Sequence, residues 1–206
     1  MTTPAIEKVE GLPLFSAIEP KDIKPAIEKA IATCKQEIDE VVASKDYSYA
    51  NLVLRLEEVD DKLSKMWSPV SHMNSVVSSD ELREAHDACL PLLSEYGTWV
   101  GQHHGLYQAY EALKASEEYA TLDAQRKKVI DNAIRDFTLS GVALPEDKKQ
   151  RFAQIQAKLS ELSSTFSNNV MDATMGWTKH ITDEDELAGM PESAKEAAAQ
   201  AAHQKD

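Results

Sequence analysis

Apolar side chains recur along this chain every three or four positions, with charged and polar residues between them. Ile23, Ile27, Ile31, Cys34, Ile38 and Val41 therefore share one face of a predicted helix. Pro20 and Pro25 suit the opening of that helix, because an interior proline loses a hydrogen bond. A second helix is predicted after Ser48, a residue suited to the N-cap, with Leu52, Leu56, Val59, Leu63 and Met66 as its stripe. Ser68-Pro69 predicts its end, since the residue before a proline avoids the helical region. A third helix opens at Ser78, whose spacing to Glu81 is that of a capping box. Its stripe runs through Leu82, His86, Cys89, Leu93, Tyr96 and Val100 and on to His103, Tyr107 and Tyr110. Pro91, Gly97 and Gly101 predict a kink or break near the middle of this long element. Thr121 is expected to cap a fourth helix carrying Val129, Ile130, Ala133, Ile134 and Phe137, closed at Ser140-Gly141 in a left-handed turn. A fifth begins at Pro145, Glu146 and Asp147, with Phe152, Ile155, Leu159, Leu162, Phe166 and Val170 in near-heptad spacing. The predicted fold class is all-α, a multi-helix bundle or array.

After Asp172 the period changes. Residues 175–182 alternate bulky and polar side chains and predict one short β-strand. No second strand is legible, so this one is expected to lack a partner. Four acids at 183–186 and Pro191 lead into an Ala-rich helix, 193–203, without large apolar residues. The chain then reaches Gln204, Lys205 and Asp206 without a cap, which predicts an end in mid-structure. The expected division is a helical domain over 1–173, then a strand and Ala-rich helix over 174–206 that lead toward a further part.

Composition agrees with helices: 206 residues, 42% hydrophobic and 28% charged, contain only 7 Gly and 8 Pro. A net charge of −13 without a basic patch argues against nucleic-acid binding. Residues 37–61 and 181–192 hold most of that excess. A solvated face is the simplest reading, and a basic partner or cationic peptide the weaker one. The N-terminus shows no basic-then-apolar leader and no run is long enough to span a membrane, so a soluble, cytoplasmic protein is expected. Cys34 and Cys89 both fall at apolar positions and are read as reduced core thiols rather than a disulfide.

Candidate chemistry is sparse. His86 and Cys89, three residues apart, would supply half a zinc site, but no further ligands have suitable spacing, and packing is the better reading. His103 and His104 point about 100° apart on a helix and cannot chelate one ion together; one is expected in the aromatic stripe and the other in water. His72, His180 and His203 stand alone. No His-Glu-x-x-His, nucleophile elbow, P-loop or dinucleotide motif occurs. Acid pairs such as Asp60-Asp61 do not by spacing make a general acid and base. The aromatic stripe Tyr96, Trp99, His103, Tyr107 and Tyr110 is read as helix packing before ligand groove. No catalytic or metal residue is assigned, and the substrate-binding residues are unknown.

Several blocks nevertheless carry a resemblance. Leu63 to Trp99 is one, with Ser-Pro-Val-Ser-His-Met-Asn-Ser-Val at 68–76 and Leu-Pro-Leu-Leu-Ser-Glu-Tyr-Gly-Thr-Trp-Val-Gly-Gln-His at 90–103. The blocks at 133–141, 167–179 and 186–193 are others. Together they resemble the N-terminal region of the oligopeptidase A group, within the thimet oligopeptidase-like zinc metallopeptidases. The resemblance implies a mostly helical protein of several hundred residues with a deep channel between two halves. It implies that this region forms one wall, admitting short peptides, while zinc and its ligands belong to the C-terminal half. No catalytic or metal position carries over to this sequence, and the chain is expected to be inactive alone. It also implies a later partner for the orphan strand, as in a fragment or split gene. Exposed apolar surface, and with it self-association, is expected where the other half would rest. The alternative is a free-standing helical module that binds peptides or proteins without catalysis.

Overall fold

The computed structural model describes residues 3–204, and they form two compact units, one ending at Ser164 and the other starting at Thr165. The described residues hold eight α-helices and no strand. Two 3-10 turns, Ala5–Glu7 and Phe15–Ala17, precede α1, Pro20–Ser44. α1 is the spine of the first unit. It buries Ile23, Ala26, Ile27, Ile31, Cys34, Ile38 and Val41, the stripe its spacing predicted, together with one alanine. Pro20 takes its first turn, but Pro25 lies inside the helix.

The remaining helices of this unit follow in short steps. A π-helical turn, Tyr49–Leu54, is capped by the Ser48 side chain accepting from Asn51 N–H and runs into α2, Arg55–Val76. Arg55 donates to Glu37 at 2.7 Å and to Glu40 at 2.6 Å, tying α2 to α1. α3 is Asp80–Gly101, α4 His104–Lys114, α5 Glu117–Thr121, α6 Ala124–Leu139 and α7 Glu146–Gly176, the last of which passes the unit boundary.

Two apolar clusters result. Ile23, Ile27 and Cys34 of α1 meet Val70 of α2 and Leu82 and Cys89 of α3 in the first. Ile38 and Val41 of the same helix meet Leu52, Leu113 and Ile130 in the second. Trp99 and Val100 pack against both clusters, so the end of α3 lies at their seam. Each fully buried aliphatic side chain contributes about 1.5–3 kcal/mol.

Several predicted boundaries move. α2 continues through Pro69 instead of stopping at Ser68. Ending there would forfeit Val70, which is wholly buried, and Asn74, also buried. Apolar burial thus offsets the hydrogen bond that proline removes. The cap of α3 is Ser79, one residue after the expected Ser78, because its hydroxyl receives Leu82 N–H at 3.2 Å. The long third element does break, at Gln102 and His103 just past Gly101, while Pro91 is tolerated within α3. α6 is capped by Asp123, accepting from Arg126 N–H at 2.8 Å, whereas Thr121 closes the short α5. Gly141, at φ +81°, turns the chain after α6 as expected and lets Val142 enter the second cluster.

The second unit contains the end of α7, a 3-10 turn Glu184–Leu187 and α8, Glu192–His203. The Ala-rich helix is therefore present, whereas the expected strand is not. Met175 and Gly176 finish α7, and 177–183 are irregular. Among the described residues no other strand exists to accept its backbone hydrogen bonds, and strand-forming side chains alone cannot replace them. Lys205 and Asp206, where the uncapped end was expected, lie outside the described residues.

Candidate functional site

Where the two clusters of the first unit meet, packing is incomplete and leaves an open cavity of about 350 Å³. Helical spacing determines what faces it. From α2 come Leu56, Glu57, Val59 and Asp60, and from α3 come Tyr96, Gly97, Val100 and Gly101. α6 adds Ala133, Asp136, Phe137 and Ser140, while Ile38 comes from α1 and Leu106 and Tyr110 from α4. Tyr96, Tyr110 and Phe137 are buried and form its aromatic depth; Glu57, Asp60 and Asp136 are exposed at its mouth. Among the described residues no lysine, arginine or histidine lines it.

The glycines have distinct consequences. A Cβ on Gly101 would lie 2.6 Å from the Ser140 Cβ, so only glycine allows α3 to approach the end of α6 this closely. At Gly97 a Cβ would meet nothing within 4 Å, and the missing side chain leaves open space beside the cavity.

Electrostatics follow from burial and from neighbouring charges. Burial pushes the Tyr110 phenol up to about 12, with the negative charge of Glu57 adding to it. Burial also raises Tyr96, and the neighbouring Cys34 thiol, which donates to Val59 O at 3.6 Å, adds to it. Both phenols are neutral at physiological pH and act as aromatic walls with polar tips. Desolvation, followed by the charge of Asp61, raises the Asp60 carboxyl. Asp136 already receives Arg135 at 2.8 Å. Glu57 and Asp60 make no ion pair with a cation among the described residues, so their charge remains at the mouth without a counter-ion.

The aromatic stripe is divided by the break after Gly101. Tyr96 and Tyr110 reach the cavity. Trp99 lies 6.5 Å from Tyr96, with Lys35 Nζ 5.2 Å from its ring centre. His103 meets Trp99 edge-on at 4.9 Å and caps α4 through Nδ1, which accepts from Leu106 N–H at 3.0 Å. His104 is exposed, so the two adjacent histidines divide their roles as expected. Tyr107 donates to Glu111 at 2.8 Å. Packing and cavity wall are therefore both present in one stripe. Phe137 is legible in the sequence as part of the α6 stripe and Asp60 as one of an acid pair within the excess over 37–61, but their meeting with Glu57 and Asp136 is not.

His86 and Cys89 are both held in packing. His86 stacks on Trp67 at 4.9 Å and its Nδ1 lies 2.9 Å from Asp87 Oδ1. Cys89 is wholly buried, and burial pushes its thiol up to about 11, disfavouring the thiolate a metal needs. Cys34 is likewise a buried free thiol. Among the described residues no three His, Cys, Asp or Glu side chains gather as a metal-binding group, so they do not fit zinc. Among the described residues no helix is long and apolar enough to cross a membrane.

Residues 27–149 match the family profile described as neurolysin/thimet oligopeptidase, N-terminal domain. Oligopeptidase A of Haemophilus influenzae is 55% identical over 205 residues, covering all of this chain and 30% of that protein. Oligopeptidase A of Escherichia coli is 55% identical over 207 residues, again 30% of its length. A probable cytosolic oligopeptidase A of Arabidopsis thaliana is 33% identical over 190 residues, 92% of this chain and 27% of that protein. The chain thus spans under a third of the relatives it matches, and it corresponds to their N-terminal region.

Proposed function

Because this chain belongs to the family of the neurolysin/thimet oligopeptidase N-terminal domain, we propose that it forms one wall of the peptide channel of an oligopeptidase. Residues 1–173 make the wall, and 174–206 lead toward the rest of a longer protein. That remainder supplies the zinc and the general base, while these helices limit admission to short peptides. The carrying observation is the 55% identity over the whole chain to proteins of which it covers 30%. Apolar surface in the first unit supports the reading. Ile155, Leu159 and Leu162 of α7 are 43%, 52% and 51% exposed, although their spacing is that of a buried stripe. Such side chains are suited to contact with another part of a protein, and in isolation to self-association.

The test is complementation. The 206-residue chain, given zinc and a quenched short peptide, is expected to be inactive. Addition of the separately produced remainder of an oligopeptidase A is expected to restore hydrolysis. Stoichiometric zinc and unaided hydrolysis by the chain would overturn the proposal, as would a remainder whose activity is indifferent to it. Sizing chromatography reads association, and a concentration-independent monomer would remove that element.

A further inference from the structure

The cavity at the seam of the two clusters has its own chemistry. Its depth is aromatic, with Tyr96, Tyr110 and Phe137 buried there, and its mouth is acidic. Of the three carboxylates, Asp136 has Arg135 beside it, whereas Glu57 and Asp60 have no cationic partner among the described residues. Glu57 and Asp60, three residues apart on α2, lie on one side of the helix. Gly97 keeps open space where any other residue would place a side chain. A volume of about 350 Å³ holds one aromatic ring with a short arm.

We propose that this cavity is a binding site for an organic cation with an aromatic body, an arylalkylammonium whose ring enters among Tyr96, Tyr110 and Phe137 while its ammonium meets Glu57 and Asp60. Ring stacking supplies burial and the carboxylates supply sign selectivity, since an anion would face two uncompensated negative charges. Free arylalkylamines and the amino terminus of a peptide beginning with an aromatic residue share this chemistry. The site lies wholly within the first unit, so it stands whether or not the domain lines a peptide channel.

The experiment titrates the 206-residue chain with phenethylammonium and follows the backbone amides of Gly97 and Gly101 by NMR. Saturable shifts at both are expected, and the neutral 2-phenylethanol should bind about tenfold more weakly. Asp60→Asn should weaken phenethylammonium about fivefold, the effect of one exposed charge pair. Gly97→Leu, which fills the space beside the cavity, should abolish the shift at Gly101. If that variant fails to fold, Asp60→Asn and the neutral analogue still decide. Phe-Ala-Ala with a free amino terminus, compared with its N-acetyl form, distinguishes the sources. Tighter binding of the free tripeptide than of the amine assigns the site to peptides, and the reverse order assigns it to free amines. Equal binding of phenethylammonium and 2-phenylethanol, or no shift at either glycine, would overturn the proposal.

Discussion

α1 and α7 announce themselves in the same way and end differently. Both carry apolar residues at helical spacing, and both are long, 25 and 31 residues. Yet α1 buries seven side chains and α7 buries none. Periodicity selects helix in both, because it describes one chain's own face. Burial depends on a second surface. α1 has α2, α3 and α4 against it, so its stripe enters two clusters. In the first unit, Ile155, Leu159 and Leu162 of α7 remain exposed, and in the second unit so do Phe166 and Val170.

The most direct way to break this contrast is to truncate one side chain from each helix. Ile27→Ala should cost about 2–5 kcal/mol, since Ile27 is wholly buried and leaves a cavity. Leu159→Ala should remain within about 0.5 kcal/mol at concentrations where the chain is monomeric. Urea midpoints at unchanged slope measure both, and a large loss at Leu159 would mean that its face is covered in solution.

Next in size is a glycine pair that sharpens the same lesson on one helix. Gly101→Ala should destabilise by about 1–3 kcal/mol, through overpacking against Ser140. Gly97→Ala, with nothing nearby, should stabilise by up to about 1 kcal/mol, as alanine does within helices. Adding Ser140→Gly to Gly101→Ala should recover stability. Failure of that rescue would place the strain elsewhere.

The smallest effect concerns Asp60, whose carboxyl at the cavity mouth is raised above the ordinary 3.8 by local desolvation and by the charge of Asp61. A raised folded-state value contributes stability below the unfolded value, and that contribution is lost as pH rises through the folded one. Asp60→Asn should therefore gain on the parent at neutral pH, and the gain should vanish near pH 3. Melting both proteins across that range reads the difference, and a gap independent of pH would contradict it.

Much of the fold was legible. The stripes of α1, α6 and α7, the Ser48 cap, the turn at Gly141 and the Ala-rich helix all follow from local spacing and cap chemistry. Pro69 misleads because proline's local cost carries no information about Val70 behind it, a residue whose burial is a tertiary fact. Residues 175–182 were misleading for the converse reason: Trp177, Thr178 and Ile181 favour a strand, but a strand exists only when another strand completes its hydrogen bonds. The site was less legible still. Tyr96 and Tyr110 were visible as aromatics in a stripe, while Asp136 and Phe137 lie some forty residues from Tyr96 and gave no local sign of meeting it.

By itself the sequence determined where helices form, which face of each is apolar, and to which family the chain is similar, because these depend on local spacing and on residue identity. Only the tertiary structure decided which apolar faces are covered, how close α3 comes to the end of α6, and that two carboxylates without counter-ions stand over an aromatic cavity. Those outcomes depend on contacts between residues far apart along the chain, and steric fit and desolvation are properties of such contacts rather than of any one segment.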